Sequence, residues 1–165
     1  MTADEIKTRL GLEPHPIEGG WFRQTYAASE SFCTPQGQRA ASTAIYYLLE
    51  AGAFSEMHTL SNDEVFHFYL GSPVEMLQLL PDGSSAVFTL GPDLTAGQHP
   101  QLAVPAGVWQ GTRLVDEGAG DGKWALLGCT VAPGFDYADY RNASAAELIA
   151  KWPQEAERIR RLTLC

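Results

Sequence analysis

The chain has 165 residues, enough for one domain around a single hydrophobic core. Hydrophobic residues make up 45% and charged residues 19%, a balance that excludes a disordered chain. Acids outnumber bases 20 to 11 for a net charge of −9, which argues against nucleic acid and anionic membranes as partners, because both attract basic surfaces.

The N-terminal stretch MTADEIKTRLGLEPHP has no apolar segment behind a positive one, so it does not read as a secretory signal, and no run approaches the roughly 18 apolar residues of a membrane span. Instead it reads as a short helix. Thr2 can cap it, Asp4 and Glu5 suit its positive end, and Gly11 can stop it. EPHP then breaks the helix, and His15 within it reads as a loop residue. The aromatic-rich GWFRQTYAA reads as a strand, and STAIYYLLEAG, FSEMHTL and EVFHFYLG read as further strands. PVEMLQLLPDGSSAVFTLG holds a hairpin turning at Asp82-Gly83. HPQLAVPAGVWQGTRLV and GKWALLGCTVAPGF add more strands, with residues 118–122, GAGDG, as a flexible loop between them. Near the C-terminus, Ser144 and Glu147 form a capping-box pattern before LIAKW, and Pro153 can open a second helix in PQEAERIRRL. Short strands at roughly ten-residue spacing, with Gly and Pro between them and no βαβ alternation, predict an all-β sandwich or barrel. The barrel is expected over 19–140, with a helical tail over 144–162, as one domain over 1–165.

Cys33, Cys129 and Cys165 are odd in number and far apart. They form neither a disulfide framework nor a zinc motif, and reduced thiols in a cytoplasm are the simplest reading. Cys129, inside WALLGCTV, reads as a small core residue.

The stretch from Gly52 to Gly71 carries the most chemistry. Its spacing is Gly52, five residues, His58, one residue, Leu60, three residues, Glu64, six residues, Gly71. This resembles the first motif of the cupins, in which a second histidine stands at the place of Leu60. VPAGVWQG resembles the second cupin motif, with Pro105 and Gly107 in place and Gln110 where a histidine is usual. HPIEGGWFRQTY, SEMHTLSNDEVFHFYLG, VPAGVWQG and APGFDYADY, in that order, resemble a family of small single-domain cupins of unknown function, the fifth cupin-like family. The resemblance implies a double-stranded jelly-roll barrel, commonly dimeric, with GWFRQTYAA as the candidate contact strand between two copies.

Strand periodicity agrees with that fold: His58 and Leu60 share a face, and Glu64 opens the following strand on the same side. Three readings of the pocket follow. A usual cupin site holds divalent iron, manganese, nickel or zinc with three imidazoles and a carboxylate. Here only His58, Glu64 and the weak amide of Gln110 remain, so a metal is not favoured; those three would hold one if it bound. By analogy with the sugar-nucleotide epimerases, which pair a histidine base with a tyrosine acid, His58 and Glu64 are candidate acid/base residues, and Tyr26, Tyr46, Tyr47, Tyr69, Tyr137 and Tyr140 are the available tyrosines. The reading preferred is a small-molecule site, with Arg23, Phe66, Phe68, Trp109 and Gln110 as candidate ligand contacts. Phe66 and Phe68 share the face of Glu64, whereas His67 and Tyr69 share the other. His67 is open between a dimer contact, a core hydrogen bond and a pocket role, and His99 is expected to be exposed.

Overall fold

A computed structural model describes residues 1–115 and 122–164. Most of the loop expected at 118–122, and Cys165, fall outside the described residues. Helix α1 spans Ala3–Leu10; its capping box joins the Thr2 hydroxyl to the Glu5 N–H and the Glu5 carboxylate to the Thr2 N–H, and Gly11 ends it at φ 61.

The strands are β1 (Glu13–Pro14), β2 (Trp21–Ala27), β3 (Ser31–Thr34), β4 (Gly37–Ala40), β5 (Thr43–Glu50), β6 (Phe54–Thr59), β7 (Asp63–Gly71), β8 (Val74–Leu79), β9 (Ser85–Leu90), β10 (Gln101–Val104), β11 (Trp109–Leu114), β12 (Trp124–Ala132) and β13 (Arg141–Asn142). Helices α2 (Ala145–Lys151) and α3 (Ala156–Arg161) follow, with Ser144 capping α2 and Pro153 opening the turn between them, as the sequence predicts.

One sheet runs β1-β2-β5-β12-β7-β10 and a second runs β13-β6-β11-β8-β9, all neighbours antiparallel, with β3-β4 as a separate hairpin. The two sheets close as a jelly-roll barrel. β8 and β9 turn as predicted, with the Gly83 N–H donating to the Leu80 carbonyl.

Period-2 alternation sorts the side chains into three apolar layers. Tyr47, Leu49, Phe66, Met76, Leu127 and Cys129 point between the sheets and fill the barrel. Leu48 and Leu126 point the other way, under Ile6 of α1. Met57, Leu77 and Leu79 lie under Leu148, Trp152, Ile159 and Leu162 of the C-terminal segment. Fully burying one such side chain contributes about 1.5–3 kcal/mol, so each helical cover stabilises the sheet beneath it. At Gly111 the packing is tight: a Cβ there would stand 2.8 Å from Met57 Sδ. Phe66 and Phe68 do face inward with Glu64, but they belong to the packed apolar filling rather than to a cavity wall.

Candidate functional site

One end of the barrel is polar. β6 presents His58 inward, 1% exposed, and β11 presents Gln110 directly across the ladder from it, also 1% exposed. β7 brings Glu64, 7% exposed, and β12 brings Cys129. The His58 Nδ1 stands 2.7 Å from the Glu56 carbonyl. A carbonyl can only accept, so Nδ1 carries the proton and Nε2 offers a lone pair. That lone pair takes an N–H of Gln110 at 2.8 Å, and the same amide nitrogen donates to Glu64 Oε2 at 3.3 Å. His58, Glu64 and Gln110 thus meet, while the Gln110 Oε1 is buried with no hydrogen-bond partner.

Two further residues reach this end from a loop that sequence periodicity does not address. Residues 15–20 fold back over the barrel, with the His15 N–H donating to the Gly20 carbonyl. The Glu56 N–H donates to the Glu18 carbonyl at 2.9 Å, and the Tyr47 hydroxyl donates to the Gly19 carbonyl at 2.9 Å. The path needs glycine at 19 and 20: φ is 88 and 70, and Cβ atoms there would stand 2.5 Å from the Phe54 carbonyl oxygen and 2.8 Å from that of Leu48. This loop places Glu18 Oε1 3.8 Å from Nε2 of both His15 and His58. His15 is therefore not a bystander in a loop; its side chain is 4% exposed and its Nδ1 accepts the Glu18 N–H at 3.0 Å.

A cavity of about 90 Å³ lies beside these groups. His15, Glu18, Glu64 and Cys129 form its polar side, and Phe22, Ile45, Leu60, Val131, Phe135 and Tyr137 its apolar side. Gln24 and Tyr137, both exposed, stand at its rim. Tyr140 stacks on His58 with ring centroids 4.8 Å apart, and its hydroxyl is buried without a partner. The segment carrying Tyr137 and Tyr140 is anchored by Arg39 of β4, whose Nε donates to Asp139 Oδ2 at 2.7 Å while its second nitrogen reaches Oδ1 at 3.3 Å; Asn62 adds a third donor.

Electrostatics follow from burial. Burial, reinforced by the Glu18 charge, pushes the Glu64 carboxyl up to about 8 against the opposing hydrogen bonds from Cys129 and Gln110. Burial lowers the proton affinity of His15, against the pull of Glu18. It raises the Cys129 thiol well above its usual range, with the Glu64 charge adding to the effect, so this cysteine is a donor to Glu64 and not a nucleophile. The Tyr140 hydroxyl is raised likewise, first by burial and then by Glu18 and Glu56.

Several expected contacts lie elsewhere. Arg23 is not in the cavity: β2 turns Phe22 and Gln24 toward it, and Arg23 lies on the outer face over the Tyr46 ring at 5.8 Å. Trp109 points away from Gln110 and packs with the C-terminal helices. Phe66 and Phe68 are core. His67 lies on the outer face, bonded to Thr130 and Gln101, and His99 is exposed. Cys129 is both core and cavity wall.

Leu60 stands in the cavity wall where an imidazole would be required, and the His58 lone pair is taken by Gln110. Among the described residues no three His, Cys, Asp or Glu side chains are placed to hold a metal ion. The residues do not fit a divalent transition metal.

Comparison with known proteins agrees with the jelly-roll fold. The family described as Cupin superfamily (DUF985) matches residues 4–143. An uncharacterized protein of Saccharomyces cerevisiae is 29% identical over 135 residues, covering 74% of this chain and 66% of that protein, so the chain spans just under two thirds of its length. An X-ray structure of a Shewanella oneidensis protein superposes with a TM-score of 0.88 at 34% identity, over 99% of this chain and 98% of that one. A hypothetical protein from Leishmania major does so with a TM-score of 0.90 at 28% identity, over 100% of both chains. An oxalate decarboxylase variant of Bacillus subtilis, at 14% identity and a TM-score of 0.57 over 92% of this chain and 37% of that one, shares the fold alone.

Proposed function

The chain belongs to the cupin superfamily, in the family designated DUF985, and on that footing we propose that it binds a small molecule in the barrel cavity beside Glu18, His58 and Glu64. The observation that carries this is the cavity itself: about 90 Å³ with an apolar wall on one side and four polar or titratable groups converging on the other. A fully packed barrel end would bury that apolar surface at less expense than two carboxyl groups and two imidazoles. A thermal-shift screen tests the reading. A ligand at a hundred times its Kd stabilises the folded chain by about 2.7 kcal/mol. Leu60→Phe, which narrows the cavity, should abolish the shift; a shift that survives it assigns the ligand to another place.

A second reading is metal-independent acid/base chemistry of the isomerase kind. It draws support from the Glu64 carboxyl, pushed up to about 8 and linked through Gln110 to the His58 ring that stacks on Tyr140. A group that titrates near neutral pH can both take and give a proton. The sugar-nucleotide part of this reading lacks a counter-ion, since among the described residues no Lys or Arg lines the cavity to meet a diphosphate. Entry of solvent deuterium into a bound carbohydrate would favour catalysis over binding alone.

The same reading makes the protein a homodimer in a cytoplasm that keeps its thiols reduced. β1 pairs only with Trp21 and Phe22 of β2, and Arg23–Ala27 are exposed along that edge, with Tyr26 55% exposed. Light scattering should report a particle of twice the 17.9 kDa chain mass. No described helix is long and apolar enough to cross a membrane.

A further inference from the structure

The free hydrogen-bonding capacity of the cavity is mostly that of acceptors, beside the one His15 Nε2–H that remains a donor when Nδ1 accepts backbone N–H groups. Glu18 Oε1 lies 3.8 Å from each histidine Nε2, too far for a good hydrogen bond, so this carboxylate retains acceptor capacity. Glu64 receives only a long bond from Gln110 and the weak donor of Cys129, and the Gln110 Oε1 is buried beside it with no partner. His15 already accepts two backbone N–H groups at Nδ1, which cannot be protonated without breaking them. The His58 Nε2 is already engaged by the Gln110 amide. Among the described residues no Lys or Arg lines the cavity. Across from the carboxylates stand the rings of Phe22, Phe135 and Tyr137, whose faces carry negative quadrupole charge.

We propose that the ligand of this cavity is a small organic cation, a primary or secondary ammonium on a compact apolar or aromatic body, with its N–H groups on Glu18 and Glu64 and its body against Phe22, Phe135 and Tyr137. This rests on the reading of the cavity as a ligand site and adds the charge and shape of what enters it. An ammonium has donors and no acceptors, so it complements this inventory without leaving a new orphan. It also supplies the charge that lets two neighbouring carboxylates ionise together; in its absence Glu64 keeps its proton, as its raised proton affinity indicates. A carboxylate or phosphate ligand would instead face two acids with no cation to meet it.

Benzylammonium, benzyl alcohol and benzoate share a ring and a one-carbon arm and differ in charge. Calorimetric titration of the full chain with each, at pH 7.5 and 0.15 M salt, tests the proposal. Benzylammonium should bind at least about tenfold more tightly than benzyl alcohol, and benzoate should not bind, given about 1.5–3 kcal/mol for hydrogen bonds to charged groups. Glu18→Gln and Glu64→Gln should each weaken benzylammonium by about tenfold or more. Equal binding of alcohol and amine overturns the cation assignment while leaving the cavity as a ligand site, and so does preference for benzoate. Amine binding that ignores both substitutions overturns it too, because the acidic surface would then be the binder. Failure of all three probes to bind counts against the cavity reading and the cation assignment together.

Discussion

Glu64→Gln is the substitution that most sharply separates a buried, protonated carboxyl from an ordinary one. In the folded chain burial and the Glu18 charge push Glu64 up to about 8, whereas its unfolded reference is 4.5. The folded state therefore holds a proton that the unfolded state has released. A raised carboxyl of this kind contributes stability that is fully present below 4.5 and is lost as pH rises through about 8. Each unit of pH in that window removes about 1.4 kcal/mol, so the wild-type chain should lose about 4 kcal/mol from this group between pH 5 and pH 8. Glutamine has nearly the same shape and no proton to lose. The difference in stability between Glu64→Gln and wild type should then grow in favour of the variant by about 4 kcal/mol across that range. The opposing contribution of His15, whose lowered proton affinity makes stability fall at acid pH, is common to both proteins and cancels in the difference. Urea unfolding followed by tryptophan fluorescence at pH 5, 6, 7 and 8 measures it. Parallel curves for the two proteins would refute the reasoning, because they would mean that Glu64 is ionised in the folded chain over the whole range.

Gly19→Ala should destabilise the fold by about 2 kcal/mol or more, because φ is 88 and the new methyl would stand 2.5 Å from the Phe54 carbonyl oxygen; any chain that still folds should bind no ligand, since the loop carrying His15 and Glu18 is displaced. Arg39→Met leaves Asp139, 2% exposed, without its bidentate partner and should cost about 3 kcal/mol in chemical unfolding, with Arg39→Met/Asp139→Leu recovering part of it. Leu60→His/Gln110→His should lower stability without metal and regain it with added nickel, while wild type shows little response; calorimetry that finds no nickel bound to a folded double variant would mean that the four motif positions do not converge.

The parts of this molecule that follow strand periodicity could be read from the residues. His58 and Glu64 face inward because their spacing across the SND turn and the period of two leave no other choice once the barrel is assumed. Phe66 and Phe68 obey the same parity, yet parity fixes a face and not a height along the barrel, and their height is that of the apolar filling. The position of Arg23 turns on register: Phe22 and Gln24 line the cavity from β2, and nothing in GWFRQTY says which of two alternating sets faces in. His15 and Glu18 lay outside any period. Their approach to His58 depends on a loop whose turns at Gly19 and Gly20 are pinned by Tyr47 and Glu56, contacts across 28 and 38 residues of chain that no local pattern encodes. The available signal was compositional: two titratable residues, between prolines and a glycine pair, just ahead of an aromatic strand. Tyr140 was one of six tyrosines of equal standing, and it stacks on His58 where the Arg39–Asp139 anchor and the pairing of Arg141 and Asn142 with β6 hold its segment.

We propose the barrel end around Glu18 and Glu64 as a ligand site. Titrating isotopically labelled protein with benzylammonium and following backbone and side-chain resonances tests it most directly. Shifts concentrated at His15, Glu18, Glu64, Cys129 and Phe135, and lost in Glu64→Gln, are the predicted result. Shifts confined to surface carboxylates away from the cavity, or no shifts at all at millimolar probe, would contradict it.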